Sequence, residues 1–349
     1  MKLRYLLLIP AVLLALFFGG TTVGAEPIAA KNQYPGVVDP GMKPFAKIIL
    51  PPEEEEVFPD FQVQMEESWL PLLENREMTA SSYFVYDLDR EEYLVLSGQS
   101  SDRVYPASTT KLFTAYVALR YISPDQQITI GSELKMLDPD SSVAGFEKGD
   151  VVTVKQLVSA MMLPSGNDAT YVLITNVGRI LGGQDTSNEE AVQLFVRMMN
   201  IQAYVLGLKD SHFVTPDGIH AEDHYICLED MVTIAKLALS EPIIADVVGL
   251  QSMELSLANR NLEMKNTNLL LHIDSEYYCK YAVGLKTGYT SDAGNCLLTV
   301  CRQDQRRLLI GVFGCPGEFD RFSETLLLFA QSVGLETPGV APVAGTIEQ

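Results

Sequence analysis

Two groups of β-rich apolar runs flank a long stretch of this chain whose apolar residues recur at helical spacing. Tyr83 to Leu88 and Tyr93 to Leu96 are β-rich runs around the polar connection Asp89-Arg90-Glu91-Glu92, a pattern that predicts a hairpin. After Asn268 strand-like runs return in Ala282 to Thr287, Cys296 to Cys301 and Leu308 to Phe313. The polar turn Asp304-Gln-Arg-Arg307 joins the last two. The middle reads differently. Thr153 to Leu163 predicts a helix that stops at Pro164, and Asp168 to Ile180 resumes helical spacing. Ser187-Asn-Glu-Glu190 has the form of a capping box for a helix to about Leu206, and Asp230 is expected to cap another through Leu239. A closing helix from about Phe319 to Val333 would bury Phe322, Leu326, Phe329 and Ala330. Strands at both ends must complete one sheet. The expected class is therefore α/β in the α+β sense: an antiparallel sheet flanked by helices, with a helical lobe inserted at about 124–265 and a cleft between the two.

The remaining segments bound the compartment. Lys2 and Arg4, an apolar run from Tyr5 to Phe18 and Val23-Gly24-Ala25 before Glu26 read as a signal peptide over 1–25, cleaved after Ala25. That apolar run is short for a membrane span, which needs about 20 residues. Residues 26–75 are rich in proline and acid, with an unbroken run from Glu53 to Glu56, and read as an arm in which Trp69 to Leu73 forms a docking segment. The folded part then covers 76–335, and 336–349 reads as a flexible tail without a basic amphipathic stretch to anchor it on a membrane. A formal net charge of −20 argues against nucleic-acid partners. Five cysteines, all in the second half and none in a Cys-x-x-Cys pair, favour buried thiols over a disulfide framework.

One stretch carries chemistry. In Tyr105-Pro-Ala-Ser-Thr-Thr-Lys111, Pro106 ends an extended approach and Ser108 opens a helix. Lys111 follows three residues later on the same face. A hydroxyl beside an amine suits a serine nucleophile served by a lysine base. Ser132-Glu-Leu-Lys135 repeats the spacing in a turn-rich region and reads as surface. What distinguishes Ser108 is company. Pro164-Ser165-Gly166-Asn167-Asp168 sits at a helix junction facing the expected cleft, and Gly284-Leu-Lys286-Thr287-Gly288-Tyr289 lies on a strand whose glycine keeps an edge open.

With Ser-x-x-Lys, Ser-x-Asn and Lys-Thr-Gly in this order, the chain resembles the penicillin-recognising serine D,D-peptidases, most closely the low-molecular-mass D-alanyl-D-alanine carboxypeptidases. The resemblance runs from about Thr79 to Leu335. It includes Ser211-His-Phe-Val-Thr-Pro-Asp-Gly-Ile219, His224-Tyr225 with Asp230-Met231, Asn266-Thr-Asn-Leu-Leu270 and Tyr289-Thr-x-x-Ala-Gly294. It implies a β-lactamase/transpeptidase-like fold, export, no cofactor, and acylation by β-lactam antibiotics. The implied substrate is a peptidoglycan stem peptide ending in D-Ala-D-Ala. Two departures stand out. Thr215-Pro-Asp217-Gly218 replaces the family's usual Asn-Pro-His-Gly, read as a fold-supporting change, and no stretch here reads as the family's C-terminal β-domain or membrane-binding helix, so attachment through the tail is not expected.

By that resemblance Ser108 attacks the carbonyl between the two D-alanines. Lys111 accepts its proton if burial beside the Lys286 cation leaves the amine neutral. Ser165 relays a proton to the leaving amine, and Asn167 holds Lys111 and the substrate amide. Lys286 supplies positive field, Thr287 bonds the terminal carboxylate, and the N–H groups of Ser108 and Tyr289, beside Gly288, form the oxyanion hole. Arg321 matches an arginine that helps hold the carboxylate; a capping or surface arginine is the alternative. A D,D-endopeptidase would use the same residues, and a non-catalytic penicillin-sensing module would keep them without turnover. A class A β-lactamase would need a Glu-x-x-Leu-Asn frame after Ser165. None is present; Glu254-Leu-Ser-Leu257 continues with Ala258. A zinc site from His212, His220 and His224 with Asp217 and Asp223 is disfavoured because Pro216 and Gly218 make the segment a turn.

Overall fold

Five strands form one antiparallel sheet in the computed structural model, which describes residues 63–347. They are β1 (Ser82–Asp87), β2 (Glu92–Leu96), β3 (Ala282–Thr290), β4 (Gly294–Gln303) and β5 (Arg306–Cys315), in the order β2-β1-β5-β4-β3. The first hairpin thus joins the last strand: Val85 pairs with Ile310, and Leu298 pairs with Lys286 on the other side. This is the closure that strand-like runs on both sides of a helical middle predict. The expected signal peptide and the Glu53–Glu56 run lie outside the described residues.

The helices are α1 (Leu70–Leu73), α2 (Thr110–Ala118), α3 (Val154–Met162), α4 (Asn167–Gly182), α5 (Asn188–Val205), α6 (Leu228–Ser240), α7 (Pro242–Val248) and α8 (Asp320–Ser332). On one face of the sheet, Phe322, Leu326 and Phe329 of α8 share a core with Val85, Leu308 and Ile310. The turn that leads into α2 packs on β3 and β4 from the other side. With both faces covered, β4 and β5 lose the in–out alternation of a half-exposed sheet. Leu297 to Cys301 and Leu308 to Phe313 are buried without a break.

Local signals explain the helix ends. Thr153 and Gln156 form a complete capping box at α3, and Ser187 and Glu190 form one at α5. At α6 the expectation needs correction. The cap is the Cys227 sulfur, which accepts from the Asp230 N–H, and the helix starts at Leu228. The Asp230 carboxylate instead accepts from the N–H groups of Lys209 and Asp210 and the Ser211 hydroxyl, so it holds the preceding loop.

The lobe also carries two-stranded ribbons, 127–129 with 151–153 and Ser252–Ser256 with Asn261–Lys265. In the second, Met253, Leu255, Leu262 and Met264 alternate with polar residues, a period of two inside a segment read as helical. Ser132 and Lys135 lie exposed on a 3₁₀ turn.

Within the segment read as an arm, Trp69 and Leu73 are fully buried. The Trp69 ring meets Phe329 edge-on with centroids 6.3 Å apart, and its N–H donates to Tyr278 O at 2.9 Å. Residues after Gly334, read as a flexible tail, lie along β2: Leu96 N–H donates to Gly345 O, Ile347 N–H donates to Leu94 O, and Val343 is buried. All five cysteines are buried free thiols. Among the described residues, no helix is long and apolar enough to cross a membrane.

Candidate active site

Ser108 sits in a 3₁₀ turn, Ala107–Thr109, that runs directly into α2. Ala107 is held in the left-handed region at φ 46°, an uncommon conformation for a residue with a side chain and typical of over-determined functional loops. Two glycines let other segments close on this turn. A Cβ on Gly288 would lie 2.9 Å from the Ser108 nitrogen. One on Gly218, at φ +86°, would lie 1.8 Å from Ala107 O. The glycine of Lys-Thr-Gly therefore makes room for this chain's own nucleophile turn, and it also lines the cavity beside that turn.

Lys111, one turn into the helix, is fully buried with Nζ 2.8 Å from Ser108 Oγ and 2.9 Å from Asp217 O. The Ser108 hydroxyl also faces Asp217 O, at 3.4 Å. Burial pushes the Lys111 amine down to about 8, while the Asp217 and Asp168 carboxylates hold it up. The cause is thus desolvation rather than the neighbouring cation. Lys286, buried behind Thr287, has its Nζ 3.0 Å from Thr287 O. It is pushed well below the ordinary lysine range, first by burial and then by Lys111 and Arg321.

Ser108, Ser165, Asn167, Thr287, Gly288, Tyr289 and Arg321 line one cavity of about 440 Å³. The two lysines lie beneath its wall. Ser165 is in the left-handed region at φ 63°, which turns its side chain out of the junction between α3 and α4. Its hydroxyl and Asn167 Oδ1 are buried without a hydrogen-bond partner. The hydroxyl can donate or accept and the amide oxygen can accept, so both are free to hydrogen-bond a bound molecule. Asn167 Nδ2 donates to Ser141 Oγ at 3.3 Å. Lys111 is therefore held by the Asp217 carbonyl, not by Asn167 as expected. Arg321 is buried, with Nη1 3.2 Å from Gly288 O, so it belongs to the site and is not a surface residue. Among the described residues neither Lys286 nor Arg321 pairs with a carboxylate. An anionic ligand would supply that missing counter-charge.

Three residues at the site escape the sequence reading. Asp217, discounted as a loop substitution, supplies the carbonyl that holds Lys111; its carboxyl is pushed up by burial, and Oδ2 has no partner. Asp168 is buried beside the Ser-x-Asn turn and accepts from the N–H groups of Ala144, Gly145, Phe146 and Ala169 at 2.8–3.0 Å. Thr267 lines the same cavity and hydrogen-bonds the Thr287 hydroxyl. Each stands within or next to a quoted motif, which was the available signal.

The histidines serve separate structural tasks. His224 Nε2 meets Thr110 Oγ1 at 3.0 Å, its Nδ1 accepts from the N–H groups of Val214 and Thr215, and burial pushes it down to about 4. His212 Nδ1 meets Asp223 O at 2.7 Å, and His220 stacks edge-on against Tyr105.

Known proteins resemble this chain in sequence and in fold. A D-alanyl-D-alanine carboxypeptidase family model matches residues 71–317. The chain is 32% identical over 263 residues to the D-alanyl-D-alanine carboxypeptidase DacD of Escherichia coli, an alignment covering 71% of this chain and 61% of that protein. It thus spans about three fifths of that relative's length. The solved Streptomyces DD-transpeptidase superposes with a TM-score of 0.67 at 27% identity, covering 75% of this chain and 99% of that one. A penicillin-binding protein of Listeria monocytogenes, solved with cefotaxime bound, gives 0.60 at 25% identity, covering 74% and 98%. With a family model matched along most of the folded chain and solved D,D-peptidases of the same fold, the protein belongs to the D-alanyl-D-alanine carboxypeptidase family.

Proposed function

We propose that the protein is an exported serine D,D-carboxypeptidase that removes the terminal D-alanine from peptidoglycan stem pentapeptides. The observation that carries this reading is the 2.8 Å contact between Lys111 Nζ and Ser108 Oγ, beside a cavity whose sheet-side wall holds cations without carboxylate partners. Arg321 and Thr287 receive the terminal carboxylate of the substrate, and Lys286, buried behind Thr287, supplies positive field. A bound anion offsets the desolvation of Lys286 and restores its proton. Ser108 Oγ adds to the carbonyl carbon of the scissile amide as its proton passes to neutral Lys111. The oxyanion then rests against the N–H groups of Ser108 and Tyr289. As the C–N bond breaks, the Ser165 hydroxyl relays the proton to the departing amine, with Asn167 fixing the substrate amide. Water then cleaves the Ser108 ester, with Lys111 again taking the proton.

The same path gives a result with penicillins, whose strained amide would acylate Ser108 and leave a long-lived ester, since no Glu-x-x-Leu-Asn frame of the class A β-lactamase kind follows Ser165. Intact-mass measurement after incubation with benzylpenicillin should show one adduct per chain, and peptide mapping should place it on Ser108. The adduct should persist for minutes to hours. Loss of the adduct within seconds, with accumulation of penicilloate, would make the protein a β-lactamase.

A further inference from the structure

The segment Asn266-Thr-Asn268 stands between the second ribbon and β3, and its side chains point in two directions. Asn266 and Asn268 face inward and are buried. Asn266 Nδ2 donates to Val248 O at 3.1 Å and to Leu250 O at 2.9 Å, and its Oδ1 accepts from the Asn268 N–H. Asn268 Oδ1 accepts in turn from the Leu270 N–H. His272 Nε2 meets Asn266 O at 2.6 Å. The backbone is thus fixed on both sides of Thr267, which faces the other way and lines the cavity beside Ser108.

Thr267 touches both walls of that cavity. Its N–H donates to Leu163 O at 3.2 Å, directly before Pro164 and Ser165, and its hydroxyl bonds the Thr287 hydroxyl of β3. Among the described residues these two hydroxyls bond only each other. A hydroxyl carries one hydrogen, so the pair uses one of its two hydrogens internally and leaves one for the cavity. If Thr287 donates to Thr267, its lone pairs meet an incoming carboxylate and repel it. If Thr267 donates to Thr287, the Thr287 hydrogen is left for the anion, and accepting that bond strengthens its donation.

We infer that Thr267 is a positioning residue for substrate recognition: its hydroxyl donates to Thr287 and so aims the Thr287 hydrogen at the terminal carboxylate. This rests on the activity proposed above. It adds a means of telling a free carboxylate from an uncharged chain end, which Ser108 and Lys111, placed at the scissile carbonyl, cannot supply.

The test compares the full chain as wild type, Thr267→Val and Thr267→Ser on two peptides, one ending in D-Ala-D-Ala and one in its C-terminal amide. Valine keeps the shape without the hydroxyl, and both asparagines remain, so the unfolding temperature should hold. On the acid, Thr267→Val should raise KM about tenfold and leave kcat within about twofold, the scale of a hydrogen bond to a charged group. On the amide it should change little, so the acid-over-amide preference falls about tenfold. Thr267→Ser should restore that preference. In a Thr287→Val chain, adding Thr267→Val should lower it no further. An unchanged preference, equal losses on acid and amide, no restoration by serine, or a full further loss in the Thr287→Val chain overturns the positioning role. If the wild type releases no D-alanine, the proposed activity fails, and the rate of acylation by benzylpenicillin, which also carries a carboxylate, still decides the inference. Slowing by valine with recovery by serine sustains it, and equal rates overturn it.

Discussion

Replacing Lys111 with methionine should lower kcat/KM for D-alanine release by about a thousandfold, the scale typical of losing a positioned general base. Methionine fills the same buried volume without the amine, and removing a desolvated charge together with its hydrogen-bonding role leaves the fold close to neutral in stability. Thermal unfolding should therefore change little while turnover collapses. The pH profile supplies the second signature. Lys111 must be neutral to accept the Ser108 proton, and burial sets its amine at about 8. In the wild type kcat/KM should rise with pH below 8 and level off above it. The Asp217 and Asp168 carboxylates hold the amine up, so Asp217→Asn should move the plateau to lower pH. A profile that ignores Asp217→Asn, or a Lys111→Met enzyme of ordinary rate, would remove Lys111 as the base.

Substitution of Asp168 by alanine should be the most damaging change to the lobe. Its two carboxylate oxygens accept from four backbone N–H groups, three of them on the segment 144–146 that follows the cavity-lining loop. Alanine leaves these donors facing a buried void, since Asp168 is 1% exposed. The cost is that of breaking a buried charged network, about 3–5 kcal/mol, or a fall in Tm of roughly 10 °C for a chain of this size. Loosening that segment also frees Ser141 and Ser142, which position Asn167. Activity should fall even in the fraction that remains folded. An unchanged Tm would show that the loop finds other acceptors.

The sheet was legible from the sequence because its signal is global. Only a pairing of residues 82–96 with 282–315 satisfies strand edges at both ends, and β1 beside β5 does so. The capping boxes at Thr153 and Ser187 were legible for the opposite reason, since each is complete within four residues. What escaped depends on contacts remote in sequence. Asp217 acts through its carbonyl, an atom that every residue has, and only the approach of Gly218 to Ala107 brings it to Lys111. Asp230 carries the local marks of a helix cap, yet its carboxylate binds a loop some 20 residues earlier. The ribbon at 252–265 was overlooked because its alternation is short and sits among helices. The three motifs pointed to Ser108, Ser165, Asn167 and Thr287 on one cavity and the family resemblance alone pointed to Arg321, but the sources of the electrostatics around Lys111 required the fold.

The most direct test of the central reading is release of free D-alanine from a short peptide ending in D-Ala-D-Ala, measured for the wild type and for Ser108→Ala. The expected result is steady release by the wild type and none by the variant, with both proteins unfolding at similar temperatures. Equal release by the two proteins would contradict the assignment of Ser108 as the nucleophile, and with it the chemistry built on the Lys111 contact.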